Sequence, residues 1–90
     1  MKATIIYSAN ENLMYNSYKL IAVCDNKQKA IDLLMPKLQM AAIENFKEDG
    51  YLNSEQMLKD LVYSLTSIDQ TQSLSENYVI ESIDKNVLAD

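Results

Sequence analysis

Cys24 and the carboxylates Glu44, Glu48, Asp49, Glu55 and Asp60 are the side chains whose type and spacing could do chemistry in this chain. Cys24 stands at the end of an apolar run, just ahead of a helix start, where a helix dipole can favour a thiolate. A nucleophilic cysteine needs a base, and the chain has no histidine. The competing reading is a small apolar side chain that closes a strand. Glu44 and Glu48 lie one helical turn apart, with Asp49 beside them. Such a group can serve as a glycosidase-like acid pair, a magnesium site or an acidic recognition patch. It can equally be a solvated polar face. Its best functional use is contact with a basic partner. The segment from Asn45 to Gln56 sets Gly50 at the glycine position of a calcium-binding loop. Lys47 takes a ligand position there and Gln56 replaces the closing glutamate, so the segment reads as a helix-hairpin turn.

What is missing narrows the field further. There is no arginine and no tryptophan, and glycine, proline and cysteine occur once each. A single glycine excludes a phosphate-gripping loop or a dinucleotide-binding turn. Zinc or iron would need histidine or several cysteines. No serine sits in a glycine-flanked elbow. Net charge is −5, and the eight lysines are scattered singly, which disfavours nucleic acid and anionic membrane surfaces. No apolar stretch approaches the ~18 residues of a membrane span. A lone cysteine fits a reducing compartment, so the expected location is the cytoplasm.

The elements that must position these residues follow from periodicity. Ala3 to Ser8 is β-branched and aromatic, and reads as strand one. A polar loop from Asn10 to Ser17 leads to strand two, Tyr18 to Val23, whose near-continuous apolar run predicts burial on both faces or a central place in the sheet. Asp25 with Gln28 forms a capping box that opens helix one, Asn26 to Lys47, which ends at Asp49-Gly50. Pro36 inside it predicts a kink or short break near Met35. Asn53 with Gln56 caps helix two, whose Met57, Leu58, Leu61, Val62, Leu65 and Ile68 form one stripe. Asp69 to Ser75 is a polar linker, Tyr78 to Ile83 is strand three, and residues 84–90 are a frayed tail. The order is ββααβ in one domain spanning residues 1–90. The fold class is α+β: a small three-stranded antiparallel or mixed sheet with a two-helix hairpin packed on one face.

Three features concern surfaces. Leu13-Met14-Tyr15 puts consecutive apolar residues in a loop, which either folds onto the core or serves a contact. On helix one, Ile31, Leu34, Met35, Leu38, Ala42 and Phe46 form a broad face for the sheet. Leu33, Met40 and Ile43 fall on the far side, where they meet helix two, another subunit or a partner. Tyr7, Tyr18 and Tyr78 could align across the strands, while Tyr63 stands off the stripe of helix two.

A short, acidic, glycine-poor chain of AT-rich coding bias with this element order resembles the small accessory proteins of bacteriophages and mobile elements, anti-CRISPR inhibitors among them. The likeness rests on size, composition and element order, with no residue motif. It implies a protein that blocks a host protein through an acidic or aromatic surface. The reading is a small acidic non-enzymatic protein-binding module that inhibits or sequesters a host protein. Its partner would be another protein or a second copy of itself, with no catalytic residue, cofactor or metal. The contact residues are Leu13, Met14, Tyr15, Leu33, Met40, Ile43, Glu44, Glu48, Asp49 and Tyr63. The alternative is a homodimeric small-molecule-binding or sensing domain with a tyrosine-lined pocket.

Overall fold

The computed structural model describes residues 2–84. Three strands, β1 (Lys2–Asn10), β2 (Lys19–Cys24) and β3 (Glu76–Asp84), form one antiparallel sheet in the order β2-β1-β3. Two helices, α1 (Lys27–Asn45) and α2 (Ser54–Ile68), lie between β2 and β3 in the chain. The layout is α+β and ββααβ. α1 lies across all three strands and α2 packs along α1. No described helix is long and apolar enough to cross a membrane.

β1, not β2, is the central strand. Ala3, Ile5, Ile6 and Ala9 are all buried, so β1 is covered on both faces. β3 pairs with it along its whole length, from Lys2 opposite Asp84 to Asn10 opposite Glu76. The chain turns back after β1 and lays β2 on the other side, where its apolar run sits at an edge. Leu20 and Val23 are exposed there. A run of apolar residues signals burial only when strands flank it on both sides, and β2 has one neighbour. The β1–β2 register slips between Ile6 and Tyr7, which face Ala22 and Leu20, so Ile21 is the extra residue of a bulge. β3 also begins earlier and ends later than the sequence pattern predicts, and Asp84 pairs with Lys2 rather than opening a tail. The remaining expected tail, 85–90, lies outside the described residues.

The core fills the space between sheet and helices. Ile6, Tyr78 and Ile80 supply the sheet side, Ile31, Leu34, Leu38 and Ala42 the α1 side, and Met57, Leu61 and Leu65 the α2 side. The α1 and α2 residues recur at three- and four-residue intervals, the period that puts side chains on one helical face. Phe46, Leu58 and Val62 are half-buried against this core, and Ile68 at the far end of α2 is half exposed.

Helix ends follow local polar chemistry. α1 is capped by Asn26, whose side chain accepts from the Lys29 N–H at 2.9 Å, one residue later than the expected Asp25–Gln28 box. Asp25 instead pairs with Lys29, and Gln28 bonds Asp32 along the helix. Both Asp25 and Asn26 are competent caps, and Asn26, with its extended backbone, is the one that accepts from the first helical turn. α1 passes through Pro36 without a break. Pro36 is exposed, so the Asp32 carbonyl that loses its donor lies on the solvent side and water can satisfy it. The helix terminates where Gly50 takes a positive φ of 83° and the Tyr51 N–H returns to the Phe46 carbonyl at 2.8 Å. Asn53 caps α2 by accepting from Gln56 N–H, while the Gln56 side chain reaches back to Leu52 N–H. At the other end of the hairpin, the Lys27 ammonium pairs with Asp69 and donates to the Thr66 carbonyl, tying the start of α1 to the end of α2.

The segment Asp69 to Ser75 is packed rather than a free linker. Thr71 and Leu74 are buried, and Gln70 bridges to Val79. Asn77, fully buried, organises the turn. Its Oδ1 accepts from the Thr71 hydroxyl at 3.0 Å and the Leu74 N–H at 3.2 Å, and its Nδ2 donates to the carbonyls of Leu74 at 3.0 Å and Asn10 at 3.2 Å.

Candidate functional site

The residues singled out from sequence fall on three separate surfaces. The first is the β1–β2 loop. The Asn10 side chain accepts from the N–H groups of Asn12 and Met14, while Asn10 N–H donates to the Ser17 hydroxyl at 3.0 Å. That hydroxyl donates in turn to the Met14 carbonyl at 2.6 Å. Leu13, at φ 55°, is half-buried beneath this turn. Met14 is half exposed and Tyr15, at 88% exposure, points away from the core. The loop therefore does not fold inward as a whole; its polar framework holds two apolar side chains outward. Tyr15 leans on Tyr18 and Tyr18 on Tyr7, with ring centroids 5.2 and 5.6 Å apart. These spacings suit tilted aromatic pairs. Tyr78 does not join them, because alternation along β3 turns it to the helix side, into the core.

The second surface is the outward face of α1. Leu33, Met40 and Ile43 are exposed at 60%, 59% and 61%. The stripe stays exposed, although Leu33 borders a hollow beside Val23 and Cys24, and Ile43 borders one beside Ser54, Glu55 and Leu58 of α2. Pro36 is exposed between them, so apolar groups recur at intervals of three, four and three residues. That spacing is the seam along which one helix meets another element. Glu44 follows Met40 by one turn, so a carboxylate borders the stripe.

The third is the hairpin end, where Asp49, Tyr51, Asp60 and Tyr63 line one shallow groove. The Tyr51 hydroxyl donates to the Asp60 carboxylate at 2.7 Å. That hydrogen bond, then burial, then the charges of Asp60 and Asp49 raise the Tyr51 hydroxyl above the ordinary tyrosine range. Tyr63 is exposed at the rim.

The acidic group is thus divided. Glu44 opens on a groove beside β3, and Asp49 on the groove beside Tyr51. No three Cys, Asp or Glu side chains converge as ion ligands among the described residues. Cys24 is half-buried and packs against the core at the end of β2. The Gly50 segment forms a helix-ending turn, with the backbone bond from Tyr51 to Phe46 closing it.

Sequence reading missed two features. The outer strand exposes Leu20, opposite Tyr7, and Val23, opposite Ile5, an edge-strand property that strand order alone decides. Tyr78 lines the groove with Glu44 and Glu76, together with Leu74, which falls in the segment expected to be a polar linker. Leu74, the one large apolar residue between Asp69 and Ser75, was the available signal. Compared with protein-family models, curated proteins and solved structures, the chain matches none.

Proposed function

We propose that this chain is a non-enzymatic protein-binding module that grips a partner protein with the outward face of α1 and acts by covering or sequestering it. The supporting observation is the stripe of Leu33, Met40 and Ile43, three large apolar side chains each about three-fifths exposed on one rigid helix. Burial of apolar area is the main source of affinity in protein association, at about 25 cal/mol per Å² before the costs of ordering. Glu44 beside the stripe, with Glu48 following it in the chain, gives the face an acidic border that steers a basic partner. Likeness in size and composition to phage and mobile-element accessory proteins favours inhibition of a host protein in the cytoplasm as the use of such a face.

The test compares partners retained by the wild-type chain with those retained by Leu33→Ser, Met40→Ser and Ile43→Ser combined. These side chains are exposed, so the fold should survive, as circular dichroism can check. A stoichiometric partner lost in the triple variant and weakened by Glu44→Lys with Glu48→Lys is the expected result. A partner retained equally by all three proteins contradicts this face.

A second reading has its own support. β2 is an edge strand with Leu20, Ile21 and Val23 exposed and only Lys19 as a charged guard. Such an edge can pair with its copy in a dimer. A monomeric mass at micromolar concentration would remove that reading.

A further inference from the structure

We infer that the groove between the second half of α1 and the start of β3 is a socket for an arginine side chain of the partner protein. The inference rests on the protein-binding reading above and names the anchor such a partner would insert. The groove encloses about 370 Å³, near the lower end of the roughly 300–1,000 Å³ of small-ligand sites, which suits one long side chain. Pro36 and Met40 on α1 and Leu74 on the turn before β3 give it apolar walls.

Its charged side chains are carboxylates with one exception, Lys37, and Asn45, Ser75 and Tyr78 add neutral polar groups. Glu44 and Glu76 stand on opposite sides, on α1 and β3. Tyr78 is only 5% exposed, and no described residue makes a hydrogen bond to its hydroxyl, although its N–H is bonded to Thr71. No fully buried side-chain polar atom among the described residues lacks a partner, so this hydroxyl must reach open space, and the space Tyr78 lines is the groove. Tyr78 is buried over nineteen-twentieths of its surface, and its hydroxyl, unpaired within the protein and accessible, can bond a group that enters the groove. Glu76 precedes Tyr78 by two residues on β3 and so lies on the same face of the sheet.

The exception, Lys37, sets the direction of entry. It precedes Glu44 by two turns on the same face, about 10.5 Å along the helix axis. A cationic head is repelled from that end and drawn to Glu44 and Glu76. The partner's main-chain carbonyls face the Lys37 ammonium. A guanidinium suits the other end better than an ammonium. Its five donors are fixed in one plane, it is weakly hydrated, and its stem covers apolar walls.

The probe is Nα-acetyl-arginine methylamide, titrated into the labelled protein and followed by amide NMR shifts. Controls are the citrulline counterpart, of equal shape without charge, and putrescine, a free diamine. Saturable shifts at Met40, Glu44, Leu74 and Tyr78 are expected, with the citrulline compound at least about tenfold weaker. Tyr78→Phe and Glu76→Gln should each weaken the arginine probe by about tenfold while leaving the fold intact. The absence of saturable shifts, equal binding of citrulline, or tighter binding of putrescine overturns the socket. A captured partner whose affinity ignores Tyr78→Phe and Glu76→Gln overturns it too, and leaves the protein-binding reading standing. Saturable arginine binding with no partner retained would keep the socket and sink that reading instead.

Discussion

Replacing Asn77 with alanine should cost more stability than any surface substitution in the chain. Asn77 is fully buried and all four of its hydrogen-bonding positions are used, two as acceptor and two as donor. Each such bond contributes about 0.5–1.5 kcal/mol net, and a buried group left unpaired costs about 1–3 kcal/mol. Leu74, itself buried, would lose partners for both N–H and carbonyl. Water entering the vacated space recovers part of this, so the expected loss is about 3 kcal/mol, a large fraction of the roughly 5–13 kcal/mol typical of a chain this long. The melting temperature should fall by roughly 12–24 °C. Urea unfolding gives the value directly, and Asn16→Ala, on the exposed loop turn, is the control. Asn77→Asp sharpens the test. It keeps the acceptor toward Thr71 and Leu74 N–H but turns a carboxylate toward two carbonyls. It should therefore be worse than alanine at neutral pH, and recover progressively as pH falls from the raised value of the buried carboxyl to the ordinary aspartate value of about 3.9. A loss below about 0.5 kcal/mol for Asn77→Ala, the range of an ordinary surface change, would refute the reasoning.

Three further outcomes can be checked with the same unfolding assay. Burial, then the charge of Glu76, raises the Tyr78 hydroxyl above its ordinary value of 10.0, and the bond to Asp60 raises that of Tyr51. Both favour the neutral form in the folded state, so their contribution is complete below pH 10.0 and is lost as pH climbs through the raised folded values. The fall in stability above that point should be shallower in Tyr78→Phe. Pro36→Ala should stabilise the protein by about 1–3 kcal/mol, since α1 already runs through this exposed position and alanine restores the missing donor. Gly50→Ala meets nothing within 4 Å but must adopt a φ of 83°, so it should cost about 1–2 kcal/mol through backbone strain alone.

Much of this fold was legible from local pattern. The helical period of Ile31, Leu34, Leu38 and Ala42 and of Met57, Leu61 and Leu65 identified the buried stripes, because a surface helix hides one side only. Gly50 and Asn53 marked the hairpin turn through backbone chemistry that does not depend on the rest of the molecule. Leu33, Met40 and Ile43 were visible as excess apolar residues, though only the placement of α2 shows them uncovered. Strand order was hidden. The run in β2 looked central, but the pairing of β3 with β1 is a long-range choice no local residue encodes. The Asn77 staple was equally out of reach, since it joins Asn10 and Asn77 across most of the chain. Tyr78 could not be assigned to a groove before its face was known. The cap of α1 shifted by one residue because Asp25 and Asn26 carry equivalent local signals, and tertiary geometry chooses between them.

The most direct test of a binding face on α1 places a photo-crosslinking residue at Met40 in the chain expressed in its own cells, with the same residue at exposed Lys59 on α2 as the control. A single adduct with another protein from position 40, and none from position 59, is the predicted result. No adduct from position 40, or the same products from both positions, would contradict it.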